Sequence, residues 1–165
     1  MKVAITGTPG VGKTTVAAMV SDLTGWPLID INKLLTTDFV IEKDVDRDSF
    51  MVDIERAASE IKLPEDCVLD GHLSHFFPVD FVIVLRCRPK ELQMRLESKV
   101  WAQAKIEENI EAEAMDMISD ESRKLHKNVA DIDTTGDIPK TTAGRVVNTV
   151  SGKLPAKRLN FLQYL

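Results

Sequence analysis

The run Gly7-Thr8-Pro9-Gly10-Val11-Gly12-Lys13-Thr14-Thr15 constrains this chain more than any other feature. It matches G-x-x-x-x-G-K-[ST], a loop whose backbone amides wrap nucleotide phosphates. Its flanks supply the context the motif requires. Residues 2–6 are short, apolar and β-branched, the pattern of a buried strand. Residues 14–23 carry Val16, Met19, Val20 and Leu23 at helical spacing. Strand, glycine loop and helix in that order predict an α/β domain that opens on a phosphate site. Gly7, Gly10 and Gly12 let the backbone approach a polyphosphate without side-chain clash. The amides and the positive end of the following helix then face the anion. Lys13 is expected to reach the β- and γ-phosphates, and the Thr14 hydroxyl to ligate Mg²⁺.

A chain of 165 residues is long enough for one sizeable core and too short for two ordinary domains. A net charge of −5 argues against free nucleic acid as a partner. No uncharged apolar run approaches the ~20 residues of a membrane span, and no signal segment precedes the first strand. The expectation is a cytoplasmic protein without a membrane partner. Cys67 and Cys87 lie in or just after apolar strand-like runs and read as buried free thiols, and no Cys/His spacing suggests zinc.

Further strands are expected at residues 27–31, 67–70, 81–86 and 129–134. Residues 32–47 are mixed and charged and read as an exposed stretch. Asp48 is placed to cap a helix carrying Phe50, Met51, Ile54, Ala57, Ala58 and Ile61. Pro89 suits the first turn of a helix over 89–98, one long helical segment is expected over 104–126, and a last helix over 140–150. Alternating strands and helices imply a parallel sheet between helices. The tail from Ser151 is either docked or mobile.

Ligands of such sheets gather beyond the carboxyl ends of the strands. Asp70 ends an apolar strand there, in the pattern of an acid that holds Mg²⁺ directly or through water. His72, just beyond it, either orients a water or phosphate oxygen or is a packed, hydrogen-bonded histidine. His75, beside Phe76 and Phe77, reads as structural. Phosphoryl transfer also needs positive charge on the migrating group. Arg86 ends a strand on the same edge and is expected to aim at the site, with Arg88, Arg95 and Lys99 further along. The break at 98–103 is either a lid over the nucleotide or a helix–helix turn anchored by Trp101.

The glycine loop, Asp70-Gly71-His72-Leu73-Ser74-His75, Val82-Ile83-Val84-Leu85-Arg86 and Lys105-Ile106-Glu107-Glu108-Asn109-Ile110-Glu111-Ala112-Glu113 together resemble the atypical adenylate kinases of archaea and the eukaryotic nucleus, the isoenzyme 6 type. The resemblance covers most of the chain in the right order. It implies an α/β, three-layer P-loop nucleotide kinase fold with a five-stranded parallel sheet of order 2-3-1-4-5 and helices on both faces. It further implies one domain over 1–165, with a monophosphate-binding segment near 30–53 and a lid near 98–108. The implied activity is Mg²⁺-dependent phosphoryl transfer from ATP to AMP, with ATPase activity and a ribosomal-protein partner in small-subunit maturation. Gly10, Gly12, Lys13, Thr14, Thr15 and Lys99 would hold ATP, and Thr14 and Asp70 the metal. Lys13, Asp70, His72 and Arg86 would be catalytic. Two positions depart from the family. Lys99-Val100-Trp101 stands where the lid usually has Arg-Gly-Tyr, and Leu35-Thr36-Thr37 where eukaryotic members have an arginine, with Arg47 or Arg56 as its substitutes.

Overall fold

The apolar run ahead of the glycine loop becomes β1 (Lys2–Thr6), and the helix behind it α1 (Lys13–Thr24). The chain continues through β2 (Leu28–Asp30), α2 (Ile31–Asp38), the hairpin β3 (Val40–Asp44) and β4 (Ser49–Val52), and α3 (Ile54–Glu60). Then follow β5 (Cys67–Asp70), β6 (Phe81–Arg86), α4 (Pro89–Glu97), α5 (Gln103–Ala114), α6 (Met117–Leu125), β7 (Val129–Asp133) and α7 (Pro139–Val150). This computed structural model describes residues 1–44, 49–99 and 101–162.

β1 sits at the centre of a parallel sheet of order β2-β5-β1-β6-β7. Counting only the strands of that sheet, this is the order 2-3-1-4-5. Val3 and Ile5 point to a core shared with Val16, Ala17 and Val20 of α1 and Ala143 and Val146 of α7. Ala4 and Leu69 point to the opposite core, against Ile31 and Leu35 of α2, Ala57 of α3 and Ile118 of α6. Burial on both faces is why the central strands are apolar throughout. Because the strands are parallel, their last residues, Thr6, Asp30, Asp70, Arg86 and Asp133, all lie along one edge. Among the described residues no helix is long and apolar enough to cross a membrane.

Three sequence expectations change. Residues 32–47 are not simply an exposed stretch: α2 occupies their first part, capped by Asp30, whose Oδ1 accepts from the Lys33 amide at 3.0 Å. Ile31 and Leu35, four residues apart, anchor α2 in the core beneath a charged outer face. The helix expected from Asp48 starts later. Phe50 and Met51 belong to β4, and Asp53 caps α3 by accepting from the Arg56 amide at 3.0 Å. Asp48 itself, like Arg47, lies outside the described residues. The single helix expected over 104–126 is divided at Asp116, a non-glycine residue at φ 56°. Its carboxylate accepts from the Arg86 guanidinium, and the ion pair holds the chain in that turn.

The tail is docked as far as it is described. The Lys157 carbonyl accepts from the Asp131 amide at 2.8 Å, and the Leu159 amide donates to Asp131 Oδ2 at 2.8 Å. Phe161 is buried 5.0 Å from the Arg86 guanidinium.

Candidate active site

The loop between β1 and α1 is held in place from two sides. A methyl added to Gly10 (φ +95°) would lie 2.8 Å from Leu96 Cδ2 and 3.0 Å from Leu92 Cδ1, so α4 packs directly on the loop backbone. On the other side, the Thr8 hydroxyl donates to Glu113 Oε2 of α5 at 2.5 Å. Gly12 (φ +97°) opens α1 without a side-chain cap, which leaves the first-turn amides for a ligand. Gly12, Thr14 and Thr15 are exposed, so the loop presents an open cradle.

Lys13 donates from Nζ to the Thr8 carbonyl at 3.0 Å, folding back over its own loop. Burial pushes its pKa down to about 8, against the pull of Asp70 and with a further push from the nearby Lys99 ammonium. Asp70 lies on the next strand, with Ile5 and Asp30 as its register neighbours. Burial raises its pKa above the usual carboxylate value, opposed by a hydrogen bond with Thr14 and by Lys13, while Asp30 adds to the rise. Among the described residues Asp70 Oδ1, which is buried, has no hydrogen-bond partner. An unpaired carboxylate oxygen beside the Thr14 hydroxyl suits a hard divalent cation, whose remaining oxygens would come from phosphate and water.

His72 is exposed in this cleft, yet surrounding protein, Lys13 and His75 push its pKa down to about 4, so the imidazole is neutral at physiological pH. His75 is buried, with Nδ1 at 3.0 Å from Thr6 Oγ1 and Nε2 at 2.9 Å from Glu121 Oε2. Lys99 stands 5.0 Å from the Trp101 ring and Lys105 4.8 Å from it, so the aromatic is flanked by two ammonium groups.

Arg86 is placed differently from the sequence expectation. Its side chain does not aim at the phosphate loop. It is 1 % exposed, donating from Nε to Glu113 Oε1 at 2.7 Å and from Nη2 to the Glu113 carbonyl at 2.7 Å, and pairing with Asp116. Asp131 approaches Nη1 at 3.6 Å. Three acidic partners hold the guanidinium inward, away from the phosphate loop. Arg88 lies 3.9 Å from Asp133, Arg95 pairs with Glu91, and Arg56 pairs with Glu60 beneath its cation–π contact to Phe39. Arg47 and Val100 lie outside the described residues, as do Tyr164 and Leu165.

The structure therefore brings Lys13, Thr14, Asp70, His72 and Lys99 near one another, and turns Arg86 toward Glu113 and Asp116 instead. Thr8 and Glu113 have no role assigned from the sequence, although Thr8 lies in the glycine loop and Glu113 closes the Lys105–Glu113 run on which the family resemblance rests. Glu113 sits in an alanine- and glutamate-rich helix where a glutamate reads as solvent-facing, and nothing in the spacing marks it as buried. A concavity of about 570 Å³ lined by Arg88, Lys90, Glu91, Met94, Arg95 and Thr135 lies off α4. Lys90 and Met94 are on the face of α4 away from Leu92 and Leu96, so it is not the phosphate cradle.

Comparison with known proteins shows what the chain is similar to. A family model described as an AAA domain matches residues 3–116. A protein of Pyrococcus furiosus named "Putative adenylate kinase" is 40% identical over 157 residues, covering 92% of this chain and 84% of its own. One of the same name from Methanocaldococcus jannaschii is 37% identical over 162 residues, covering 95% and 90%. Among solved structures, a deoxyadenosine kinase from M. mycoides aligns with TM-score 0.62 at 15% identity, covering 93% of this chain and 100% of that one. A shikimate kinase from Acinetobacter baumannii aligns with TM-score 0.61 at 16% identity, covering 93% and 95%. At those identities the two structures speak for the P-loop kinase fold alone.

Proposed function

The chain belongs to the adenylate-kinase-like family of these archaeal relatives, and from that membership we propose that it is an adenylate kinase, transferring the γ-phosphoryl group of ATP to AMP to give two ADP. The observation that carries this is the grouping of a desolvated Lys13, the Thr14 hydroxyl and an unpaired Asp70 oxygen around an open glycine loop. An oxygen of the AMP phosphate attacks the γ-phosphorus as the bond to the β-γ bridging oxygen breaks. That oxygen is already ionised at neutral pH, so no general base is needed. Lys13 leaves its contact with the Thr8 carbonyl to neutralise the β- and γ-oxygens, and the loop amides with Gly10, Gly12, Thr14 and Thr15 hold the polyphosphate. Thr14 and Asp70 would hold Mg²⁺, which when bound supplies charge neutralisation across the phosphates. Lys99 adds positive charge from the lid side, near 98–108. The segment 30–53 takes the monophosphate, its start set beside Asp70 by the Asp30–Asp70 register. The whole forms one cytoplasmic domain over 1–165.

A second activity rests on His72. Water, unlike AMP, must lose a proton as it attacks, and a neutral imidazole in the cleft is suited to orient it. We therefore include an accompanying ATPase activity. From the family resemblance we include a basic ribosomal protein of the small subunit as partner, with a maturation role, and the chain's net charge of −5 is compatible with it.

Nucleotide chromatography with ATP and Mg²⁺, with and without AMP, CMP, GMP or UMP, tests both readings. Two ADP per AMP consumed, far above the rate without AMP, is the expected result. Slow phosphate release indifferent to AMP would overturn the kinase reading in favour of the ATPase.

A further inference from the structure

Behind the phosphate loop lies a buried carboxylate that the proposed chemistry does not touch. Glu113, at the end of α5, is 2 % exposed and receives three hydrogen bonds from two segments of chain. Thr8 Oγ1 donates to Oε2 at 2.5 Å, Arg86 Nε to Oε1 at 2.7 Å, and the Cys87 amide to Oε1 at 3.0 Å. A buried carboxylate with that many donors, one of them a guanidinium, is fixed in position. Thr8 is itself buried, at 2 % exposure, so its hydroxyl is not available to a nucleotide. Its carbonyl, however, accepts from Lys13 Nζ at 3.0 Å and from the Val11 amide at 3.4 Å. One residue of the loop is thus clamped through its hydroxyl while its carbonyl parks the lysine.

We propose that Glu113 is a positioning residue for phosphoryl transfer, acting through the Thr8 hydroxyl to fix the loop and the starting position of Lys13. The inference rests on the kinase reading for its turnover readout, but not for its binding readout. Glu113 touches no substrate. Arg86 serves the same clamp by holding the carboxylate aimed at Thr8, which gives the strand-end arginine a function without contact with phosphate. A glycine loop is soft by composition, and misplacing a catalytic group by about 1 Å can cost on the order of a hundredfold in rate. An anchor on the non-glycine residue Thr8 answers that softness.

The experiment compares wild type with Thr8→Val, Thr8→Ser, Glu113→Gln and the double variant Thr8→Val/Glu113→Gln. Each is measured for melting temperature, for ATP–Mg²⁺ affinity by calorimetry, and for kcat and KM of AMP-dependent turnover. Thr8→Val keeps the shape and removes only the donor. It should weaken ATP binding about fivefold and lower kcat about tenfold or more, with a modest fall in melting temperature. Thr8→Ser, which keeps the hydroxyl, should stay within about twofold of wild type in both. In the double variant the loss in kcat per folded molecule should be smaller than the product of the two single losses, because both changes act on the one Thr8–Glu113 contact. Wild-type ATP affinity and kcat in Thr8→Val would overturn the proposal. So would equal losses in Thr8→Val and Thr8→Ser, which would mark a packing effect. If wild type itself does not use AMP, the kinase reading fails, while the affinity series still decides the clamp.

Discussion

The phosphate loop and the Arg86 cluster stand on the same edge of one sheet and treat charge in opposite ways. Around the loop, Lys13 is desolvated to a pKa near 8 and Asp70 keeps a buried oxygen without a partner. Around Arg86, one guanidinium is met by Glu113, Asp116 and Asp131. A ligand site keeps charge unmatched because the ligand completes it, whereas in a structural ion cluster the opposite charges are matched within the folded chain, here even though Arg86 Nη1 faces Asp131 at 3.6 Å without a hydrogen bond. Glu113 joins the two, since the same carboxylate bonds Arg86 and the loop residue Thr8.

The largest effect should come from the loop. Lys13→Ala is expected to lower kcat by about a thousandfold, through lost neutralisation of the transferring phosphoryl group. Its melting temperature should hold, because a penalised buried amine is removed. Near wild-type turnover would remove the loop from the chemistry.

Arg86→Ala should show the reverse profile. Leaving three acids around an empty position is expected to cost about 3–5 kcal/mol, a fall of about 10 °C in melting temperature by calorimetry. A variant with unchanged melting temperature but abolished turnover would mean that the guanidinium reaches substrate, and the contrast between the two regions would fail.

Asp70→Asn should raise the Mg²⁺ concentration needed for half-maximal turnover by about tenfold, with a smaller loss at saturating metal. An unchanged Mg²⁺ titration would deny it the metal.

The smallest effect is in pH. The free protein holds Lys13 near 8, below its usual value, whereas a bound polyphosphate favours the ammonium and raises that pKa. ATP affinity should therefore be flat below pH 8 and fall by up to about tenfold per unit above it, with proton uptake on binding in that window. Calorimetry in buffers of different ionisation enthalpy reads the uptake. Affinity that rises above pH 8 would contradict the direction of the shift.

Much of this was legible along the chain. The loop, Thr14 and Asp70 are coded by local rules: glycines for a backbone that must pass close to phosphate, and an acid at the end of an apolar strand. The boundaries of β1, β5 and β6 follow from short apolar runs bounded by polar residues, and match at both ends. The segment between β2 and β5 is less legible. Its charged outer face hides the Ile31–Leu35 anchor of α2, and its alternating apolar residues suit a strand as well as a helix.

What local pattern could not decide was where Arg86 points. A residue at a strand end has one address in the sequence and several directions in space. The direction depends on acids 27, 30 and 45 positions further on, which only folding brings to it. The same holds for Glu113 and Asp116, whose helix reads as continuous and exposed until their charges meet a buried cation. The sequence by itself therefore determined the phosphate loop, its lysine and the acid beside it, because each is dictated by the backbone within a few residues. Only the tertiary structure decided which charges stay open to a ligand and which are closed against each other, because burial and pairing are properties of distant segments brought together.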